Sequence, residues 1–183
     1  MSTIRNKARE ALRNPRTVIL DTETTGFGKA YIVEIAILAQ REYGGVLLNT
    51  FIDPIVPITS SASRTNKIYT STIRGKPRFI KLAAGIANAL EGKTILAWNA
   101  SFDSGILENE IKRMLLMYPN TPGVEPTAKI LRSLHWEDPC QWYRDWLKER
   151  NLYEYGAAKL NGPHRALGDC RAVISKLREM AAK

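Results

Sequence analysis

The sequence predicts an α/β fold, a mixed central β-sheet of about five strands flanked by α-helices. Three observations predict it. Short β-branched apolar runs gather early in the chain. Amphipathic stretches of helical period then alternate with further short runs. No linker, repeat or low-complexity tract divides the 183 residues. One domain therefore covers 1–183, with its core at about 17–180 and a lead-in over 1–16.

Arg5 to Arg13 reads as a short exposed helix ended by Asn14-Pro15. Residues 2–9 are basic and acid-free, which fits a surface helix leading into the domain better than a transit peptide. Thr17 to Asp21 suits a central buried strand. Ile32–Gln40 and Val46–Ile52 follow as strands, joined at Gly44-Gly45 in hairpin fashion. Pro77 to Glu91 is helical, with Ile80, Ala83, Ala84, Ala87 and Leu90 on one face. Thr94 to Trp98 is the fourth strand. Ser101 then caps a helix to about Tyr118, with Phe102, Ile106, Leu107, Ile111 and Met114 or Leu115 inward. Prolines and a glycine make Pro119–Pro126 a loop. A strand near Leu131–Trp136 and a helix near Gln141–Arg150 come next. The last helix is marked by Ala166, Cys170, Val173, Leu177 and Met180 at alternating steps of four and three.

Composition narrows the function classes. The chain is 44% hydrophobic and 25% charged, ordinary for a folded domain. No apolar run approaches the roughly 18 residues that span a bilayer, so a membrane role is not expected. Cys140 and Cys170 lie in no metal-ligand spacing and read as reduced thiols of a cytoplasmic protein. The net charge of +9 favours polyanionic partners, nucleic acid above all. Pro54 to Leu90 holds no acid but carries Arg64, Lys67, Arg74, Lys76, Arg78 and Lys81. Tyr69 and Phe79 lie among them, a pattern that suits phosphate contacts with base stacking and equally a solvated basic face over two packed rings.

Asp21 and Glu23 end the first strand two residues apart, so both point to one face. Paired anions at the end of an apolar strand repel, and no Lys or Arg lies within the strand to compensate them. A divalent cation is the natural partner, although a bare Asp-x-Glu is common on exposed strand ends. Asp103 falls in the first turn of a helix directly after a strand, where it either complements the helix dipole or supplies a third oxygen ligand. Asp169 lies beside the apolar stripe of the last helix, a position that calls for a partner or a metal. His164 follows Gly162-Pro163 at a turn, exposed enough to exchange protons as a general base. His135 has no acid at comparable spacing and is given no role.

Taken together, Asp21-Thr22-Glu23-Thr24-Thr25-Gly26, Asn99-Ala100-Ser101-Phe102-Asp103 and His164-Arg165-Ala166-Leu167-Gly168-Asp169 resemble the signatures of the DEDDh, or DnaQ-like, exonucleases. That family includes polymerase proofreading subunits, ribonuclease T and oligoribonuclease. Weaker similarity at Ile32–Ala36 and Gly75–Phe79 extends the resemblance over about residues 17 to 180. It implies a ribonuclease H-like fold and 3′–5′ hydrolysis of phosphodiesters to nucleoside 5′-monophosphates. It also implies a catalytic set of Asp21, Glu23, Asp103, His164 and Asp169, the four acids holding two magnesium ions for which manganese substitutes. Asp21 would bridge both ions, and His164 would take the proton of the attacking water. Thr24, Gly26, Phe27, Asn99 and Phe102 match positions that hold or line the terminal nucleotide. Phe27 either stacks on the last base or packs beneath the turn.

The departures touch specificity. Phe27 replaces the usual Leu, Trp98 the usual His before Asn99, and residues 151–163 are too short and too rich in Gly and Asn for the usual helix. The basic stretch argues for contacts beyond a dinucleotide, so single-stranded DNA or frayed 3′ ends are the expected substrate, with an exoribonuclease or a polymerase-associated proofreading subunit as alternatives. Only Ala181, Ala182 and Lys183 follow Met180, which favours a freestanding enzyme and leaves any protein partner undefined.

Overall fold

The structure, a computed structural model, describes residues 3–39, 45–154 and 156–182. Strands β1 (Thr17–Thr24), β2 (Ile32–Ala39), β3 (Gly45–Phe51), β4 (Thr94–Leu96) and β5 (His135–Glu137) form one sheet in the order β3-β2-β1-β4-β5. The first three are antiparallel neighbours, while β4 and β5 run parallel to β1. The mixed sheet and its strand number match the expectation. The Gly44-Gly45 turn falls mostly outside the described residues, although β2 and β3 pair as a hairpin would.

Strand alternation divides the core in two. Val18 and Leu20 of β1, with Ile35 and Ile37 of β2, face helices α4 (Phe79–Leu90), α5 (Ala100–Met117) and α6 (Val124–Arg132). Ile19, Ala36 and Leu38 face the other way, toward α1 (Thr3–Arg13), α7 (Pro139–Glu149) and α8 (Ala166–Ala182). Each fully buried Ile or Leu contributes about 1.5–3 kcal/mol, so both faces are strongly fixed. The stripe read for the last helix is all core: Ala166, Cys170, Val173, Leu177 and Met180 are each 0% exposed. Small side chains at Ala36, Ala166 and Cys170 let α8 sit close to the sheet, with Cys170 Sγ 3.7 Å from the Ile19 carbonyl oxygen.

Several local expectations are corrected. The N-terminal helix is not merely exposed: Ala8 and Ala11 bury against α8, and Arg5 and Arg9 donate to the Ala182 and Ala181 carbonyls at its end. Its inward face is built of alanines, which give little hydropathic signal. In α4, Ile86 is inward and Ala84 exposed, because the buried stripe runs through Phe79, Ala83, Ile86, Ala87 and Leu90 and is phased on Phe79 rather than Ile80. Ser101 does not cap α5; Asn99 holds that place in a left-handed conformation (φ 66°). Pro126 lies within the first turn of α6, where its missing N–H costs nothing, so helix replaces the last three residues of the expected loop and the start of the expected strand, while 119–123 are loop as expected. The strand shrinks to β5. The Gln141–Arg150 helix starts earlier, at Pro139, capped by the Asp138 carboxylate. Two short helices, α2 (Ser60–Asn66) and α3 (Thr70–Ile73), occupy the basic stretch. Among the described residues no helix is long and apolar enough to cross a membrane.

Candidate metal centre

The alternation that sorts the core also sorts the acids. Asp21 and Glu23 share the face of Ile19 and point toward α8, which delivers Asp169 from its first turn. Ligand oxygens of these three side chains lie within 4.8 Å of one another. The cluster stands at the end of β1, where a bulge at Glu23/Thr24 terminates regular pairing with β2.

Asp103 is placed differently. It is buried on the first turn of α5, and Thr22 Oγ1 donates to its Oδ1 at 2.7 Å. Thr22 alternates with Asp21 and Glu23, so it faces α5 and takes Asp103 on that side. Asp103 is therefore outside the tight three-carboxylate group, though close enough for its charge to act on Asp21.

The electrostatics show what the cluster lacks. Burial, then repulsion from Asp103, Asp169 and Glu23, pushes the Asp21 carboxyl well above the ordinary range. Burial, followed by repulsion from Asp169 and Glu34, moves Glu23 up to about 7. Burial raises Asp103 to about 7 against the Thr22 hydrogen bond, and it raises Asp169 against the favourable charge of His164. Asp169 Oδ1 is buried with no hydrogen-bond partner among the described residues. A set of hard oxygen donors, mutually repelling and with one orphaned oxygen, fits a divalent cation of the magnesium or manganese type.

His164 is exposed at the turn before α8, in a left-handed conformation (φ 53°) that is uncommon for a side-chain-bearing residue. Its neighbour Arg165 explains how the turn is held. Arg165 donates from Nε and Nη2 to Glu34 at 3.0 and 2.8 Å, and the Ala166 amide donates to the same carboxylate at 3.1 Å. Glu34 is opposite Glu23 in the β1–β2 register, so β2 pins the start of α8 beside the acids. Gly162 crosses directly over Asp169, where an added Cβ would overlap Oδ1.

Next to Glu23 lies a depression of about 180 Å³ lined by Thr24, Gly26, Phe27, Asn66 and Phe102. Phe27 is 88% exposed, which excludes the packed alternative, and its ring meets Phe102 edge-on at 6.4 Å. The turn is closed by Thr24 Oγ1 donating to the Gly26 carbonyl at 2.6 Å and by Asn66 Nδ2 donating to the Thr24 carbonyl at 3.4 Å. Four of the five residues assigned to the terminal nucleotide thus share one depression. Asn99 does not: it lies on the His164 flank. In the basic stretch, Phe79 is core rather than a stacking ring, whereas Tyr69 is exposed.

Thr22, Glu34, Asn66 and Arg165 were not singled out from the sequence. A lone acid within the apolar run Ile32–Leu38 was the available signal for Glu34, Thr22 and Arg165 lie inside the two acidic signatures, and Asn66 carries no signal.

Fold and centre together define a class: an α/β protein that gathers carboxylates for a divalent cation at the end of its sheet. The exonuclease family model RNase_T matches residues 18–177, and the chain belongs to that family. It is 31% identical over 131 residues to the DNA polymerase III subunit epsilon of Buchnera aphidicola subsp. Schizaphis graminum, covering 65% of this chain and 56% of the subunit. It is 26% identical over 190 residues to an uncharacterized exonuclease of Escherichia phage 186, covering 98% and 95%. The chain spans only 13% of a PolC-type DNA polymerase III from Caldanaerobacter subterraneus, to which it is 27% identical. Among solved structures, exonuclease X in complex with 5′ overhanging duplex DNA shares the fold, with a TM-score of 0.58 over 91% of each chain at 23% identity. The ribonuclease H-like architecture is as expected.

Proposed function

We propose that this protein is a divalent-cation-dependent 3′–5′ exonuclease that removes nucleoside 5′-monophosphates from single-stranded DNA or frayed 3′ ends. The observation that carries this reading is the cluster of Asp21, Glu23 and Asp169 within 4.8 Å, beside a nucleoside-sized depression and an exposed histidine. Magnesium, with manganese as substitute, would be held by these acids, with a second ion toward Asp103, and would supply charge neutralisation and Lewis acidity. Phe27 and Phe102 offer ring faces and edges to the terminal base, and the Thr24–Gly26 turn offers polar groups to its sugar. His164, held at its turn by the Glu34–Arg165 pair, takes the proton of the attacking water. The choice of DNA is supported by the polymerase III relatives and the DNA-bound fold neighbour. The similarity to epsilon subunits favours a second reading, a proofreading nuclease acting beside a polymerase.

The test is direct. Purified protein with magnesium is incubated with end-labelled single-stranded DNA, duplex DNA and RNA. Stepwise release of mononucleotides from the 3′ end of single-stranded DNA is expected, and Asp21→Ala should abolish it. His164→Ala should lower kcat by about 100-fold or more while leaving KM near wild type, as for loss of a general base. Wild-type protein that leaves every strand intact sinks the proposal, and a preference for RNA redirects it to an exoribonuclease.

A further inference from the structure

The residues assigned to the terminal nucleotide divide between two depressions, and the division has a chemical meaning. The first, of about 180 Å³, holds Glu23 in its wall beside Phe27 and Phe102. The second, of about 570 Å³, is lined by Trp98, Asn99, Cys140, Arg144, Lys159 and His164, with Gly162 at its edge against Asp169. The acidic cluster thus adjoins both, lining the first through Glu23 and meeting the second behind Gly162, which lies over Asp169.

The two walls differ in character. The first carries aromatic rings and no fixed charge apart from Glu23. The second carries two cations, and no acid is found among the described residues that line it. Asp138, at the start of the same helix as Arg144, spends one carboxylate oxygen on the amides of Asn99 and Cys140, at 3.0 and 2.9 Å. Arg144 and Lys159 make no ion pair among the described residues. Trp98 packs its ring 5.8 Å from that of Tyr143, which fixes the indole in the wall.

Resting on the exonuclease reading above, we propose that this second depression seats the nucleotide 5′ to the scissile bond. Arg144 and Lys159 take its phosphate, and Trp98 packs against its sugar or base. A terminal nucleoside ends the strand and fits the small, ring-lined pocket. The scissile phosphate at the acids then sends the rest of the polyanion across the opposite, larger and cationic flank. Trp98, where the resembling family usually has His, would give this chain a stacking surface at that position.

Two probes separate this inference from the reading it rests on. The p-nitrophenyl ester of thymidine 5′-monophosphate presents a terminal nucleoside and a scissile phosphate but no second nucleotide. An oligothymidylate presents both. In Arg144→Ala/Lys159→Ala, KM for the oligonucleotide should rise by about ten-fold relative to KM for the ester, and the salt dependence of oligonucleotide KM should flatten by about one phosphate contact or more. Trp98→Ala should raise the same ratio by about five-fold or more, with Trp98→Phe restoring part of it and guarding against misfolding. Equal changes on both probes, no change on either, or a loss confined to the ester overturns the inference. Wild-type protein inactive on both probes overturns the exonuclease reading itself.

Discussion

Two groups of acids on the same sheet and its helices are treated in opposite ways. Glu34 is 3% exposed and fully engaged, with Arg165 and the Ala166 amide on its two oxygens. Glu110, 6% exposed, is engaged at its Oε1 by the Ile32 amide and Arg113, whose guanidinium stacks on Tyr31. Among the described residues Asp21, Glu23 and Asp169 form no ion pair with a cationic side chain, and one Asp169 oxygen has no hydrogen-bond partner. A buried carboxylate with an internal partner is architecture. A buried group of carboxylates without one is a site for a charge brought from outside.

The sharpest test of that contrast is pH. The Glu23 carboxyl is raised from 4.5 to about 7, so between those values the folded state binds a proton that the unfolded state has released. Stability of the cation-free protein therefore falls as pH climbs through that window, by about 3 kcal/mol from Glu23. The raised Asp21, Asp103 and Asp169 act with the same sign. A divalent cation replaces those protons, so the gain in Tm on adding magnesium or manganese should be larger near pH 8 than near pH 5. Melting curves with and without the ion check this, and a larger gain on the acid side would break the contrast.

Substitution should then give opposite signs in cation-free melts. Glu34→Ala strips the acceptor from Arg165 and from the Ala166 amide and should cost about 2 kcal/mol. Asp21→Asn removes repulsion from the cluster and should stabilise by about 1 kcal/mol while abolishing catalysis. Destabilisation of similar size in both would mean that the two groups of acids are built alike.

How much of this was legible depends on range along the chain. The period of two in β1 put Asp21 and Glu23 on one face, and the steps of four and three in α8 set Asp169 beside its buried stripe. Those are local rules. The same rule of two, carried one residue further, would have sent Thr22 to the opposite face and Asp103 with it. Glu34 and Arg165 meet across 131 positions, and no local pattern announces such a pair. α2 and α3 were hidden because a run of Ser, Thr, Arg and Lys has little apolar period, yet α2 supplies Asn66 to the depression beside Glu23. α6 was hidden by Pro126, which signals a break in a helix interior but is tolerated in a first turn.

Gly162 offers a test in which no charge is changed. Its backbone passes over Asp169 so closely that a methyl group would overlap the carboxylate. Gly162→Ala must shift either the turn or Asp169, and weaken cation binding by about ten-fold, in the range seen when a ligand's supporting contacts are lost. Titration with manganese, followed by calorimetry, reads this directly. Unchanged affinity would show that Asp169 is not held in place by the turn above it.

The smallest effect is expected where the molecule gives least to stability and most to substrate. Phe27 is 88% exposed, and its one ring neighbour among the described residues is Phe102. A single exposed ring is ordinary on a protein surface, and what distinguishes Phe27 is its place in the wall of the depression beside Glu23. Phe27→Ala should change folding stability by no more than about 0.5 kcal/mol. It should raise KM for a single-stranded oligonucleotide by about five-fold or more, the lower end of what one base–ring stack contributes. Because no hydrogen bond, ion pair or ring contact among the described residues ties Phe27 to the acids or to the Glu34–Arg165 pair, kcat and the cation dependence of melting should hold. A fall in Tm with no change in KM would return Phe27 to the architecture.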